Sequence, residues 1–236
     1  MNSNELEDFQ RALVVVAHPD DAEFGAAGTV ALWASRGIEV NYVICTDGAS
    51  GAADQEVDLA GWAARREQEQ REAADVLGVG DVVFLGQPDG DLRVSSDLRR
   101  ELVRLLRRYR PEVVICQNSV RNYTSLYGNH PDHLAAGQLT IEAIYPYARN
   151  PHSYPELLHE GLRPHSVREV LIAGTEFPDH FVDVSTTIGR KIEALARHRS
   201  QHRPGEDFTE RVKERMRKQG EPHGFEFAES FRRLRS

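Results

Sequence analysis

The chain has 236 residues, with 29 Lys and Arg against 37 Asp and Glu and a formal net charge of −8. Hydrophobic residues make up 40% and charged residues 28%, a globular composition that excludes disorder, collagen and coiled coil. The acidic balance argues against nucleic acid or an anionic membrane as partner, because both call for a basic surface.

After a polar lead-in without the basic-plus-apolar pattern of a signal peptide, Leu13 to Ala17 is a short, β-branched apolar run. It reads as a strand buried on both faces, as in a parallel sheet. A helix is predicted from about Phe24 to Ser35, closed at Gly37. Val40 to Cys45 is a second strand, followed by the loop Thr46 to Gly51. A long charged helix from Leu59 to Leu77 ends at Gly78, and Val82 to Leu85 forms a third strand before the turn Gly86 to Gly90. Leu98 to Tyr109 repeats the helical pattern, and after Pro111 comes a fourth strand, Val113 to Cys116. Strands are expected again at Val167 to Ala173 and Phe181 to Val184. Ser185 is expected to cap a helix running to about Ser200, with helical patches at Phe208 to Lys218 and near Glu229. The irregular stretch from Tyr145 to Ser166, with four prolines and three histidines, is expected to wall part of a pocket. Cys45 and Cys116 lie inside apolar runs and read as buried, reduced thiols, consistent with a cytoplasmic location. No run approaches the roughly 20 apolar residues of a membrane span. The alternation of strand and helix predicts one α/β domain over residues 1–236, a Rossmann-like three-layer sandwich with a mostly parallel sheet. In such a sheet every parallel strand ends at one edge, where ligands bind.

Two motifs follow predicted strand ends: His18-Pro19-Asp20-Asp21 and His130-Pro131-Asp132-His133. Chance supplies only about 0.03 copies of His-Pro-Asp at this composition. One such tripeptide alone reads most simply as a turn with a capping aspartate; two at the same predicted edge ask for more. Proline stiffens each turn. The three-residue spacings of His18 to Asp21 and of His130 to His133 let each pair face one point at a helix start. Imidazole and carboxylate together suit a borderline cation such as Zn²⁺, although Fe²⁺ or another divalent ion is compatible with the same donors. The motifs hold more groups than a structural ion needs, and the surplus is what acid–base chemistry on a metal-activated water requires. A nucleotide fold is disfavoured, because two carboxylates occupy the turn where a pyrophosphate needs free amides.

The two motifs in this order, with Gly25 to Thr29 after the first, resemble the LmbE-like (PIG-L) zinc-dependent N-deacetylases. The likeness extends to Thr46-Asp47-Gly48, to Arg66, Glu69, Ala73 and Leu77-Gly78, to Leu85-Gly86 and Pro88-Asp89-Gly90, and to His198-x-Ser200-Gln201 and Ala228-Glu229-x-Phe231. The resemblance implies that His18, Asp21 and His133 bind zinc, that Asp20 is the general base, that His130 acts as acid or stabilises the tetrahedral intermediate, and that Asp132 orients an imidazole. The chain departs from the common pattern in having Ala22 before Glu23, where an acid usually follows the aspartate pair directly. Asn129 precedes His130 where many members have a small residue, and Tyr127 is a weak candidate for an oxyanion donor. The implied substrate is an N-acetylglucosamine-type conjugate, with a larger amide or a non-catalytic zinc module as alternatives. Assemblies from dimer to hexamer are compatible with the family.

The remaining residues read less sharply. Arg66 lies on a helix rich in charge and is most simply solvated; the resemblance alone promotes it to a substrate-binding or site-stabilising arginine. Asp47 and Asp89 sit in glycine turns where local capping is the default, with Asp47 retained as a substrate-binding candidate. Arg121 and Tyr123, with Asn122 between them, precede the second motif and could read sugar hydroxyls. His198, His202 and His223 read as surface or capping residues, with His223 kept as a candidate to reach a neighbouring subunit's site. Trp33 and Trp62 read as packing residues.

Overall fold

A computed structural model describes residues 8–52, 56, 58–123, 126, 128–201 and 206–235. The apolar runs become β1 (Arg11–Val16), β2 (Glu39–Thr46), β3 (Val82–Gln87) and β4 (Val113–Gln117), joined in one sheet by β5 (Glu169–Ala173), β6 (His180–Asp183) and β7 (Ala228–Arg235). The strand order is β3-β2-β1-β4-β5-β7-β6. The first five strands pair in parallel, and β7 runs antiparallel between β5 and β6.

Alternation along β1 explains the layering. Ala12, Val14 and Val16 face one buried cluster, whereas Leu13, Val15 and Ala17 face the other. The first face is covered by α1 (Asp21–Ser35), α2 (Leu59–Leu77) and α6 (Ile188–Leu195), through residues such as Val30, Trp33, Leu77 and Ala194. The second is covered by α3 (Ser96–Tyr109) and α4 (Pro131–Glu142), through Leu102, Leu106 and Leu139. A short α5 (Glu156–His159) and α7 (Glu206–Gly220) complete the α-helices among the described residues, and no helix there is long and apolar enough to cross a membrane. The α/β sandwich with a mostly parallel sheet is therefore as the sequence predicts.

Three expectations change. Ser185 caps no helix: its hydroxyl bonds Asp183 Oδ1 at 2.5 Å, and the helix runs only from Ile188 to Leu195. Glu229 lies on a strand, not a helical patch. His198, read as a surface or capping histidine, is 1% exposed and bonds the buried Glu23. Cys45 and Cys116 are buried free thiols, both pushed up to about 12 by burial. Trp33 packs edge-on against Phe9.

The chain leaves β1 to one side for β2 and returns on the other for β4, so the crevice above the carboxyl ends of β1 and β4 is a topological switch point. Both His-Pro-Asp motifs open onto it. The 145–166 stretch lies elsewhere, pinned to α3 by the buried Arg107 guanidinium, which donates to the carbonyls of Tyr147, Ala148, Asn150 and Ser153.

Candidate active site

His18 to Asp21 forms the turn between β1 and α1, and His130 to His133 leads into α4 with Pro131 in the first helical turn. The two helix starts bring three donors together. His18 Nδ1 lies 3.1 Å from Asp21 Oδ2 and 3.2 Å from His133 Nε2, which is 3.2 Å from Asp21 Oδ1. Tetrahedral ligands about 2.0–2.1 Å from a zinc ion stand about 3.3 Å apart, so this nitrogen, nitrogen and oxygen set fits such a cation. Burial alone would lower the His18 pKa, but the Asp21 and Asp89 carboxylates against its ring raise it to about 10. Burial likewise opposes ionisation of Asp21, yet His133 and His18 hold its carboxyl far below the usual range.

The other edge of His18 explains two more acids. Nε2 is 3.1 Å from Asp89 Oδ1 and 3.2 Å from Asp132 Oδ2. These three residues also lie close enough to hold an ion, but the carboxylates are otherwise engaged. Asp132 is fully buried and accepts the N–H of Gly90 at 2.7 Å and of Leu92 at 3.1 Å, while Asp89 Oδ2 accepts that of Ser50. With Nε2 donating to these acids, loss of the second ring proton would expose the Nδ1 lone pair toward Asp21 and His133, the arrangement by which outer carboxylates orient a metal-binding imidazole. Asp89, which the sequence assigned to local capping, is thus part of the site. Its position in the turn after β3 was the available signal.

His130 stacks edge-on to His18 with ring centroids 4.7 Å apart. Its Nδ1 accepts the Asp132 N–H at 3.3 Å, which places the proton of a neutral ring on Nε2. Burial, then the neighbouring His18 and His133, lower its pKa, which favours that neutral donor.

Arg66 is 4% exposed, contrary to the solvated reading. Its guanidinium donates to the carbonyls of Pro19 and Gly48 and lies 3.6 Å from Asp20 Oδ2. It thereby ties α2 to the first motif and to the loop after β2. Asp47 accepts the N–H groups of Ala49 and Asp89 through Oδ1, joining two rim loops. Arg121 and Tyr123 stand exposed, Tyr123 by 91%, and neither makes a hydrogen bond to a described residue. Tyr127 and His202 lie outside the described residues. His223 stacks on Phe181.

Beside the donors is a cavity of about 300 Å³ that Asp21 and His133 line together with Phe24, Gly25, Asn118 and, from α7, Arg215. No residue of the 145–166 stretch lines it.

Similarity to known proteins agrees with this geometry. Residues 13–144, which contain both motifs, match the family model "PIG-L: GlcNAc-PI de-N-acetylase". The chain is 35% identical to the diacetylchitobiose deacetylase of Thermococcus kodakarensis over 83% of its own length and 72% of that protein's. It is 31% identical to 1D-myo-inositol 2-acetamido-2-deoxy-alpha-D-glucopyranoside deacetylase 1 of Saccharopolyspora erythraea, covering 81% of this chain and 77% of the other. Among solved structures, N,N'-diacetylchitobiose deacetylase from Pyrococcus horikoshii in complex with an inhibitor superposes with a TM-score of 0.89 at 30% identity, covering 99% of this chain and 86% of that one. With the paired motifs, the sheet and these matches in agreement, the chain belongs to the PIG-L (LmbE-like) family.

Proposed function

We propose that this protein is a divalent-metal-dependent hydrolase, with zinc as the metal, that removes the N-acetyl group from an N-acetylglucosamine-type substrate. The observation that carries the proposal is the convergence of His18 Nδ1, an Asp21 carboxylate and His133 Nε2 within 3.1–3.2 Å of one another, with a further carboxylate, Asp20, on the adjoining residue. Relatives that share 30% or more of the sequence carry deacetylase names for acetamido sugars.

His18, Asp21 and His133 would hold the ion. When bound, it supplies a Lewis acid that polarises the acetamide carbonyl and acidifies water. Asp20 takes the proton from the attacking water. Adjacent side chains on this turn diverge, so Asp20 is suited to a role distinct from that of Asp21. His130, neutral and protonated on Nε2, donates a hydrogen bond to the oxygen that gains charge as the tetrahedral intermediate forms. Arg66, 3.6 Å from Asp20 Oδ2 and bonded to the Pro19 carbonyl, holds the Asp20 carboxylate in place. Return of the proton to the amine nitrogen as the C–N bond breaks releases acetate and the free amino sugar, consuming one water.

The test is acetate release by the zinc-reconstituted protein from a panel of free, chitobiose-type, inositol-linked, malate-linked and lipid-linked N-acetylglucosamine. Release from at least one member that disappears on chelation supports the proposal. Silence across the panel by a zinc-loaded, folded protein overturns it.

A further inference from the structure

The turn bearing Asp20 is held from behind by buried side chains that the hydrolytic scheme leaves unused. Asp20 has φ 99° and ψ −25°. This backbone conformation costs a non-glycine residue on the order of 1–3 kcal/mol and persists only where the surroundings over-determine it. The Asp20 N–H donates to Gln70 Oε1 at 2.9 Å. Gln70 Nε2 in turn donates to both oxygens of Glu23, at 3.0 and 3.1 Å, and Glu23 Oε2 lies 3.0 Å from His198 Nε2. Gln70 and Glu23 are fully buried and His198 is 1% exposed.

The chemistry of each link is specific. Asp20 presents a donor and needs an acceptor; Glu23 presents acceptors and needs donors. A glutamine amide meets both demands in one orientation, and the Glu23 carboxylate selects that orientation. An apolar side chain at position 70 would leave the buried Asp20 N–H without this acceptor and Glu23 with His198 but without its amide donor. The three supports come from α2, α1 and the segment after α6, so the helices covering one face of the sheet converge on a single peptide.

We propose that Gln70, oriented by Glu23 and His198, is a positioning residue that holds the Asp20 peptide in its left-handed conformation and so directs the Asp20 carboxylate. This rests on the reading of Asp20 as the general base. Gln70→Met removes the amide at similar volume. Its kcat is expected to fall at least tenfold, while KM and bound zinc per chain stay within about twofold of wild type. The Asp20 amide proton should exchange with solvent at least tenfold faster. The exchange variant Glu23→Gln/Gln70→Glu reverses the donor and acceptor ends while keeping the charge, and should recover most of the lost kcat.

Wild-type kcat and wild-type amide exchange in Gln70→Met overturn the proposal. If Gln70→Met does not fold, Glu23→Gln and the exchange variant decide: a fall in kcat in the first that the second restores supports it, and kcat unchanged in both overturns it. Asp20→Asn assayed alongside separates this claim from the one beneath it. An inactive Asp20→Asn with an unaffected Gln70→Met sinks the positioning role alone, whereas an active Asp20→Asn sinks the base and the positioning role together.

Discussion

Helix α1 is wedged by a buried ion pair. Lys191 Nζ is 2.6 Å from Glu229 Oε1, and both side chains are 1% exposed. Lys191 also donates to the Glu23 and Phe24 carbonyls at 2.9 Å, and Glu229 accepts the N–H groups of Gly28 at 2.9 Å and Thr29 at 2.8 Å. Cation and carboxylate thus meet backbone groups between Glu23 and Thr29 of the helix that starts at the His18 to Asp21 turn. Lys191→Met keeps most of the stem but leaves Glu229 without a countercharge. Truncating one member of a buried pair costs about 3–5 kcal/mol, and for a domain of this size each kcal/mol lowers Tm by about 2–4 °C. A fall of roughly 6–20 °C is expected. Urea denaturation followed by circular dichroism, on metal-free protein at pH 7, reads the free energy directly. Lys191→Met/Glu229→Gln, which removes both charges, should cost less than the sum of the single changes by more than about 1 kcal/mol. A single-variant loss below about 1 kcal/mol, the value of an exposed pair, would refute the reasoning and mean that water already screens these charges.

Further outcomes follow from the same geometry. The raised pKa of His18 in the metal-free protein means that binding zinc at pH 7 displaces a proton, so titration calorimetry in buffers of different ionisation enthalpy should report about one proton released; none released contradicts the ligand assignment. Because its folded value, about 10, lies above its unfolded 6.5, His18 stabilises the metal-free protein fully below pH 6.5. That contribution disappears as pH rises through about 10, which denaturation at pH 6, 8 and 10 checks. If Asp132, 3.2 Å from His18 Nε2, orients that ring rather than contacting the ion, Asp132→Asn should weaken zinc affinity by about 10–100-fold in a chelator competition. Gly28→Ala should destabilise by about 1–3 kcal/mol despite the better helix propensity of alanine, because the added Cβ would stand 2.7 Å from Val184 Cβ; a stabilised variant would show that Val184 yields.

The parallel half of the sheet was legible because β1 to β4 are short β-branched runs separated by helical segments, a signal carried entirely by local pattern. The convergence of His18, Asp21 and His133 was legible because two rare tripeptides end neighbouring strands. The residues that stayed hidden are charged and amide groups whose partners are remote. Arg66, Glu69 and Gln70 look like one solvated helix face until Pro19, Gly48, Ser200 and Glu23 close over them. Glu229 reads as helix-forming, and only pairing with Lys191, 38 residues away, makes a strand with a buried acid possible. Asp89 looks like an ordinary turn cap until the fold brings His18 beside it. Arg121 and Tyr123 were chosen for their place before the second motif, and both stand exposed there.

The most direct test of the account compares wild type with Asp20→Asn at equal zinc content, measuring acetate released from the best N-acetylglucosamine conjugate. One zinc per chain in both proteins, with acetate release reduced by at least a hundredfold in Asp20→Asn, is the result expected if Asp20 moves the proton and His18, Asp21 and His133 hold the metal. Equal release from the two proteins, or loss of zinc with the Asp20 substitution, would contradict that division of roles.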